Sequence, residues 1–431
     1  MSGLQQLDRP AGLDMAIVGA GPTGLALALM AARALPQARI TVFDARAADR
    51  DVSGDPRTLA LSLGSVQFLS RLGVWSAITA SGQVAPIHQV HVSQQQPTVL
   101  WPGASEPHVS ISAKEQRVAQ LGAVLSHGTL LAPLQHAWLE AVAAEPHRLS
   151  MRFGTPVHGF KPLDGGIEVD ADIADRFDLA VVAEGGVFAD QPALQWPKGL
   201  SRDYEQTAWV GQVRLDAQGP DGVAYERFTP SGPAALLPLP PGAVVPGGAV
   251  GRRAALVWCV QRSQDPVKAL DEAQRLAVLN TVFPVSLGLM VEMSPLKAFP
   301  LGLNAHWRLV EHGAVARIGN AAQTLHPVAG QGLNLGLRDV HALLEALRDL
   351  GRPGLASGPE RSALVAAALA RFERSRQPDR MALVAATDTL ARVFTLGAPI
   401  LATARGLALG LLQSLKPLKS GLAQVMMFGH R

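Results

Sequence analysis

Cysteine is almost missing from this chain: Cys259 stands alone among 431 residues. A single thiol closes no intrachain disulfide and builds no cysteine metal cluster, which fits a reducing cytoplasm and leaves Cys259 as a buried small apolar residue. Charge of one sign is also in short supply. The 38 basic and 35 acidic residues leave a net +3, too small a surplus to point to nucleic acid. No uninterrupted apolar run reaches the roughly 18 residues of a membrane span. Asp8, Arg9, Pro10 and Asp14 interrupt the first residues, so no secretory signal is read there. His127, His136, His147 and His158 lack ligand spacing, so no metal site is expected. With 48% hydrophobic and 17% charged residues, the chain has the composition and length of a globular protein of two or more lobes.

What the chain does have is two glycine-rich turns. The first follows the apolar run Met15–Val18, where Gly19, Ala20, Gly21, Pro22, Thr23 and Gly24 lead into an alanine- and leucine-rich helix reaching about Ala34. Strand, tight turn and helix with G-x-G-x-x-G spacing let the backbone approach a pyrophosphate at a helix N-terminus. Residues 40–43 read as the next strand, and Asp44, 20 residues after Gly24, stands where a carboxylate holds ribose hydroxyls. The motif does not say which dinucleotide binds.

The second turn lies in the stretch 316–340, ARIGNAAQTLHPVAGQGLNLGLRDV. Gly330 and Gly332 permit close approach of backbone to a flat or anionic ligand, and Pro327 stiffens the entry. Leu333, Leu337, Val340 and Leu344 recur at helical spacing, so a helix would point its partly positive end back at the loop. A ring that becomes anionic on reduction suits that position.

Within this stretch Gly319, Ala321, Ala322, His326, Pro327, Gly330, Gln331, Gly332, Asn334, Gly336 and Asp339 resemble the second flavin-contacting motif of the FAD-dependent aromatic hydroxylases, in the branch that hydroxylates the ring during ubiquinone biosynthesis. The family usually has Asp where this chain has Asn320 and His where it has Gln323. An amide still accepts a hydrogen bond from the ribityl chain, though charge-assisted bonds are about twice as strong. Residues 55–75 look like another marker of the branch, with Leu61, Ser65, Phe68, Leu69 and Leu72 on one side of a helix that Gly73 ends. The resemblance places Arg57 beside the flavin and its diphosphate; the alternative is a surface pair with Asp55. Residues 177–183, FDLAVVA, read as a strand buried on both faces. Glu184 and Gly185 follow, where the family has Asp then Gly near flavin and nicotinamide, and Phe188 replaces a small serine.

The remaining segments fill out the architecture. Residues 87–112 alternate apolar and polar positions as a strand does, and 121–145 carry Leu130, Leu134, Trp138 and Val142 at helical spacing. Between Gln206 and Gln261 four apolar runs separated by Gly- and Pro-rich turns read as antiparallel strands, in which Trp209, Phe228 and Trp258 either line an aromatic pocket or fill a core. The fold expected is α/β with α+β elements. A Rossmann-like FAD-binding lobe (1–86, 113–190 and 305–350) carries an inserted antiparallel-sheet substrate lobe (87–112 and 191–304) and a C-terminal helical segment (351–431).

The resemblance implies an FAD-dependent monooxygenase that uses NAD(P)H and molecular oxygen to hydroxylate a polyprenylated phenol through a flavin hydroperoxide. It implies cofactor contacts from Gly19, Ala20, Gly21, Gly24, Asp44, Arg57, Glu184, Gly185, Asn320, Pro327, Gly330, Gly332, Leu333 and Asn334, with no catalytic side chain. His326 either holds a proton or caps the loop, and the structural role is preferred. Two other readings stand beside this one: a hydroxylase of a small soluble phenol, and a flavin-poor scaffold subunit of a quinone-synthesis complex. After Asp388 there is no acidic residue, while Arg392, Arg405, Lys416, Lys419 and Arg431 lie among apolar stretches. Residues 389–431 therefore either rest on an anionic inner-membrane face or cap the protein itself or a sister subunit.

Overall fold

The computed structural model describes residues 12–95, 106–185, 199–326, 331–352, 354, 358–393 and 399–429. Its first sheet is built on β1 (Asp14–Val18), whose five residues are all buried. Such a run has no polar face to give to water and is stable only between neighbours. Those neighbours are β2 (Arg39–Asp44) on one side and β12 (Leu179–Val182) on the other, both parallel to β1. The sheet extends through β8 (Leu149–Phe153) at one edge and through β20 (Val315–Arg317) and β19 (Val310–Glu311) at the other. Helices α1 (Pro22–Ala34) and α5 (His127–Ala144) pack together against it, burying Leu25, Leu29, Leu130, Leu134 and Trp138 in one core. The opposite face meets the three-stranded sheet β9 (Gly159–Leu163), β10 (Gly166–Asp170) and β11 (Asp175–Phe177), through Phe43, Ile167, Val169 and Phe177.

A larger mixed sheet is centred on β13 (Gly199–Leu215), paired antiparallel to β16 (Gly251–Gln261) and β18 (Lys297–His306). It continues through β15 (Gly232–Gly242), β14 (Val223–Thr229), β5 (Gln89–Gln94) and β6 (His108–Ser112), with β17 (Met290–Met293) and β21 (Gln323–Thr324) added on β13 and β18. Helix α6 (Glu272–Val282) covers one face, where Leu279 and Val282 join Trp258, Leu236 and Tyr225. Trp258 and Phe228 are buried and Trp209 packs against this core, so the aromatics fill rather than line a pocket.

Two boundaries differ from the sequence expectation. Leu61 lies in β3 (Thr58–Ser62), and helix α2 (Leu63–Arg71) starts after it. Residues 122–126, expected as helix, form β7 (Gly122–Ser126), which pairs with β3 and with β4 (Ala85–Ile87). Short apolar runs carry no periodicity that separates strand from helix, and here an available partner strand decides. Helix α7 (Gly332–Leu347) follows the second turn as expected. Beyond it, α8 (Pro359–Val393) contributes Val365, Ala368, Leu369 and Phe372 to the same core as β1, so its first half is continuous with the first lobe. Short helices α3 (Trp75–Ala80) and α4 (Ala113–Gln116) fill corners, and α9 (Pro399–Ser414) and α10 (Lys416–Phe428) close the chain. Among the described residues no helix is long and apolar enough to cross a membrane.

Helix α8 is anchored to β1 by charge. Arg361 donates to the carbonyl of Gly12 at 3.0 Å and to Asp178 Oδ2 at 3.1 Å, and that same oxygen accepts the amide of Asp14 at 2.9 Å. Removing one partner of a buried pair strands the other, at a cost of about 3–5 kcal/mol. Arg361→Ala is accordingly expected to lower the unfolding free energy by about that amount, read from the urea midpoint; a change under about 1 kcal/mol would contradict the anchor.

Candidate functional site

The first turn is shaped by three glycines that do different things. Gly19 has φ of +105°, and a Cβ there would sit 2.8 Å from the Glu184 amide nitrogen. A Cβ on Gly24 would fall 1.9 Å from the Gly19 carbonyl oxygen, so this glycine lets helix and strand close on each other. At Gly21 an added Cβ meets nothing within 4 Å. Two glycines thus lock the turn and the third leaves bare backbone facing open space, at the N-terminus of α1 where the first amides have no helical acceptor. Asp44 faces the same turn: Oδ2 accepts the Ala20 amide at 2.6 Å, and Arg46 donates to Oδ1 at 3.0 Å and to the Ala20 carbonyl at 2.8 Å.

The second turn packs directly on the first. Gly319 has φ of +59°, and a Cβ there would lie 3.2 Å from Thr23 Oγ1. A Cβ on Gly336 of α7 would lie 2.8 Å from that hydroxyl and 3.1 Å from the Gly319 Cα. Asn320 is exposed, and the Gly332 backbone at the start of α7 faces its Oδ1. Gly332 and Leu333 are half-buried, and Gly185 is exposed with open space beside it. Glu184 is half-buried; burial pushes its carboxyl up, Asp44 adds to that and Arg317 opposes it. The two helix N-termini and the open Gly21 backbone supply donors and the Asp44 carboxylate an acceptor, a set that fits a long ligand carrying a diphosphate at one end and a polar, reducible ring at the other. The expected contacts Pro327 and Gly330, like Phe188, lie outside the described residues.

The FAD binding domain family matches residues 12–178. The chain is 30% identical over 423 residues to the ubiquinone hydroxylase UbiL of Rhodospirillum rubrum, covering 94% of this chain and 87% of that protein. This chain belongs to the FAD-dependent hydroxylases of the ubiquinone branch. It is also 28% identical over 410 residues to the 3-demethoxyubiquinol 3-hydroxylase of Escherichia coli, with 92% and 93% of the two chains covered. Among solved structures, the p-nitrophenol 4-monooxygenase PnpA of Pseudomonas putida aligns with a TM-score of 0.69 at 16% identity over 97% of this chain and 98% of that one. Klebsiella pneumoniae HpxO, complexed with FAD and uric acid, aligns at 0.66 and 17% identity over 99% of each. Both share the fold, and the expected cofactor, FAD, stands with the family.

In this hydroxylase Arg57 does pair with Asp55, at 2.6 Å, and remains largely exposed. His127 lies 3.1 Å from the same carboxylate. Burial first, then the charges of Arg57 and Arg46, hold its imidazole down at about 4 despite Asp55, so two guanidinium groups act on one neighbourhood close to the first turn. Asn334 is buried, and its side chain is used locally: Oδ1 accepts the Ser62 amide at 2.8 Å and Ser65 Oγ at 2.7 Å, and Nδ2 donates to the Ala60 carbonyl at 3.0 Å. It ties α7 to the junction of β3 and α2. His326 is buried with Nε2 3.0 Å from Gln206 Oε1 and edge-on to Tyr204; burial holds it at about 4, neutral at physiological pH, as a structural residue.

Sequence reasoning missed what stands behind the second turn. Asp339 Oδ2 accepts the Gly319 amide at 3.0 Å, and its Oδ1 accepts Arg376 Nε at 2.7 Å. Arg376 donates on to Asp379 at 2.8 Å. Burial works against the Arg376 charge, but Asp339 and Asp379 together hold it above the ordinary arginine value. Arg376 and Arg380 lie four positions apart on α8, a spacing that puts both on one helix face, and that was the available signal.

Gly21 and Gly24 separate ligand binding from folding. Gly21→Ala is expected to leave the melting temperature of the FAD-free protein unchanged and to weaken FAD binding tenfold or more, about 1.4 kcal/mol or above, by titration of flavin fluorescence. Gly24→Ala is expected to destabilise the FAD-free protein itself by about 1–3 kcal/mol. Equal effects of the two on folding would contradict the division.

Proposed function

We propose that this chain hydroxylates the aromatic ring of a polyprenylated phenol in ubiquinone synthesis, with NAD(P)H as reductant and molecular oxygen as co-substrate. The observation that carries the proposal is the packing of two distant glycine turns on one threonine, Thr23, in a chain that spans 87% of a ubiquinone hydroxylase. In this reading Gly19, Ala20, Gly21 and Gly24 receive the diphosphate with Arg57 nearby, and Asp44 takes the ribose hydroxyls. Glu184 and Gly185 border the nucleotide, while Asn320, Gly332 and Leu333 meet the flavin, with Pro327 and Gly330 as further contacts. Asn334 acts by placing α7. Bound FAD supplies the activation of oxygen and its transfer to the ring. The chain supplies the rest: the α7 N-terminus stabilises negative charge on the ring system, and the large sheet closes over the substrate and keeps water out. No side-chain nucleophile is required. In this reading the FAD-binding lobe comprises 1–86, 113–190 and 305–350, the substrate lobe 87–112 and 191–304, and the C-terminal helical segment 351–431.

The C-terminal helices support a lipid-borne substrate. Leu407 and Leu411 on α9, Leu415 at the junction, and Leu418 and Leu422 on α10 form an outward row, each 37 to 55% exposed, with exposed Lys416 among them. The inner face is already satisfied: Ala423 and Met427 pack with Ile87 and Ile111, Gln413 accepts the Ser110 amide at 2.9 Å, and Lys419 pairs with Glu115 at 3.0 Å. An outward leucine row in a stretch without acidic residues suits an anionic bilayer surface.

Purified protein is expected to be yellow, and to turn over a prenylated phenol at least tenfold better in kcat/KM than its unprenylated counterpart. Equal turnover would favour a small soluble phenol, and protein that stays colourless after incubation with FAD would favour the scaffold reading. In flotation assays the protein is expected to bind phosphatidylglycerol-containing vesicles and to lose binding on Leu411→Ser with Leu418→Ser. Self-association without vesicles, abolished by the same pair, would instead assign the row to a second copy.

A further inference from the structure

Gly319 is gripped at both ends of its peptide units. Its amide donates to Asp339 Oδ2 at 3.0 Å, and its carbonyl accepts Gln323 Nε2 at 2.9 Å. Gln323 is itself buried, and the oxygen of its amide accepts Arg380 Nε at 2.6 Å. Arg380 is fully buried on α8, and its Nη2 donates to the carbonyls of His306 and Ala322. One guanidinium fork therefore fixes the end of β18, the end of the turn and the Gln323 amide together. The amide passes that constraint to Gly319, whose positive φ sets the direction of the next residue, Asn320.

We propose that Gln323 is a positioning residue for the flavin: it couples the fixed geometry of Arg380 to the Gly319 peptide and so aims Asn320 into the site. The inference rests on the assignment of the second turn to the flavin. The chemistry of the position is restrictive, because the side chain must accept from Arg380 and donate to Gly319 at the same time. A glutamine does both without charge. A carboxylate accepts from Arg380 but cannot donate, and it would bring a second negative group towards Asp339 Oδ2, which lies 3.4 Å from Gln323 Nε2. A lysine in place of Arg380 keeps the charge but loses the planar fork that reaches three partners.

The test uses the full-length protein and FAD, reading the dissociation constant by flavin fluorescence, the visible spectrum of the bound flavin, and the melting temperature of the FAD-free protein. Asn320→Ala establishes the turn: it is expected to weaken FAD binding at unchanged melting temperature. Gln323→Leu is expected to weaken FAD binding tenfold or more and to shift the visible flavin bands. Gln323→Glu, which keeps the volume and the Arg380 contact, is expected to do the same to a lesser degree, with the band shift at saturating FAD as the readout that a loss of stability alone would not move. Arg380→Lys should not restore the wild-type spectrum, and combining Gln323→Leu with Arg380→Lys should cost no more than the worse single change, as coupled residues do. Wild-type affinity and spectrum in both Gln323 variants, with Asn320→Ala impaired, would overturn the proposal. A silent Asn320→Ala would overturn it by a different route, through the assignment of the turn.

Discussion

A threonine hydroxyl pressed between two glycines is the contact on which the rest of the structure depends. Thr23, in the first turn of α1, meets Gly319 and Gly336, positions where a single added carbon would approach its Oγ1 to 3.2 and 2.8 Å. Side chains of ordinary size at either place would push the second turn away from the first. Because both are glycine, the N-terminal ends of α1 and α7 share one neighbourhood, although their sequences are far apart. Two helix N-termini, each the positive end of its dipole, then lie side by side.

Buried charge holds this arrangement in register. Asp339, Arg376 and Asp379 on one side and Arg380 with Gln323 on the other form one connected group behind the 319–323 turn, joined where Gln323 Nε2 reaches Asp339 Oδ2. Burial lowers the Arg380 guanidinium only to about 10, so it remains charged at neutral pH. Such groups contribute little net stability compared with apolar packing, because desolvation offsets their attraction. Their directional bonds do fix which carbonyl faces which donor. Helix α8 thus does two jobs: its first half fills the core with Val365, Leu369 and Phe372, and its middle holds the 319–323 turn.

The legible parts of the site were those where chemistry constrains a short stretch. The spacing of Gly19, Gly21 and Gly24 predicted a strand, turn and helix, and the structure places them so, with Asp44 against Ala20. The helix after the second turn was legible from Leu337, Val340 and Leu344, all buried. Leu61 was misplaced because its run is too short to have a period, and β7 became visible only once β3 was there to pair with it. Asn334 was read as a contact, whereas its side chain is used to hold Ser62 and Ser65. Gln323 was read as a departure at the cofactor. Its partner Arg380 is 57 residues away on helix α8, and no local pattern joins them.

Hydrogen exchange of the full chain with and without FAD tests the central claim most directly. One cofactor bridging both turns predicts slowed exchange in two separate stretches at once, residues 19–25 and residues 319–334, rising together as FAD is added. Protection confined to the first stretch, or appearing in the two at different FAD concentrations, would contradict a single ligand held between them.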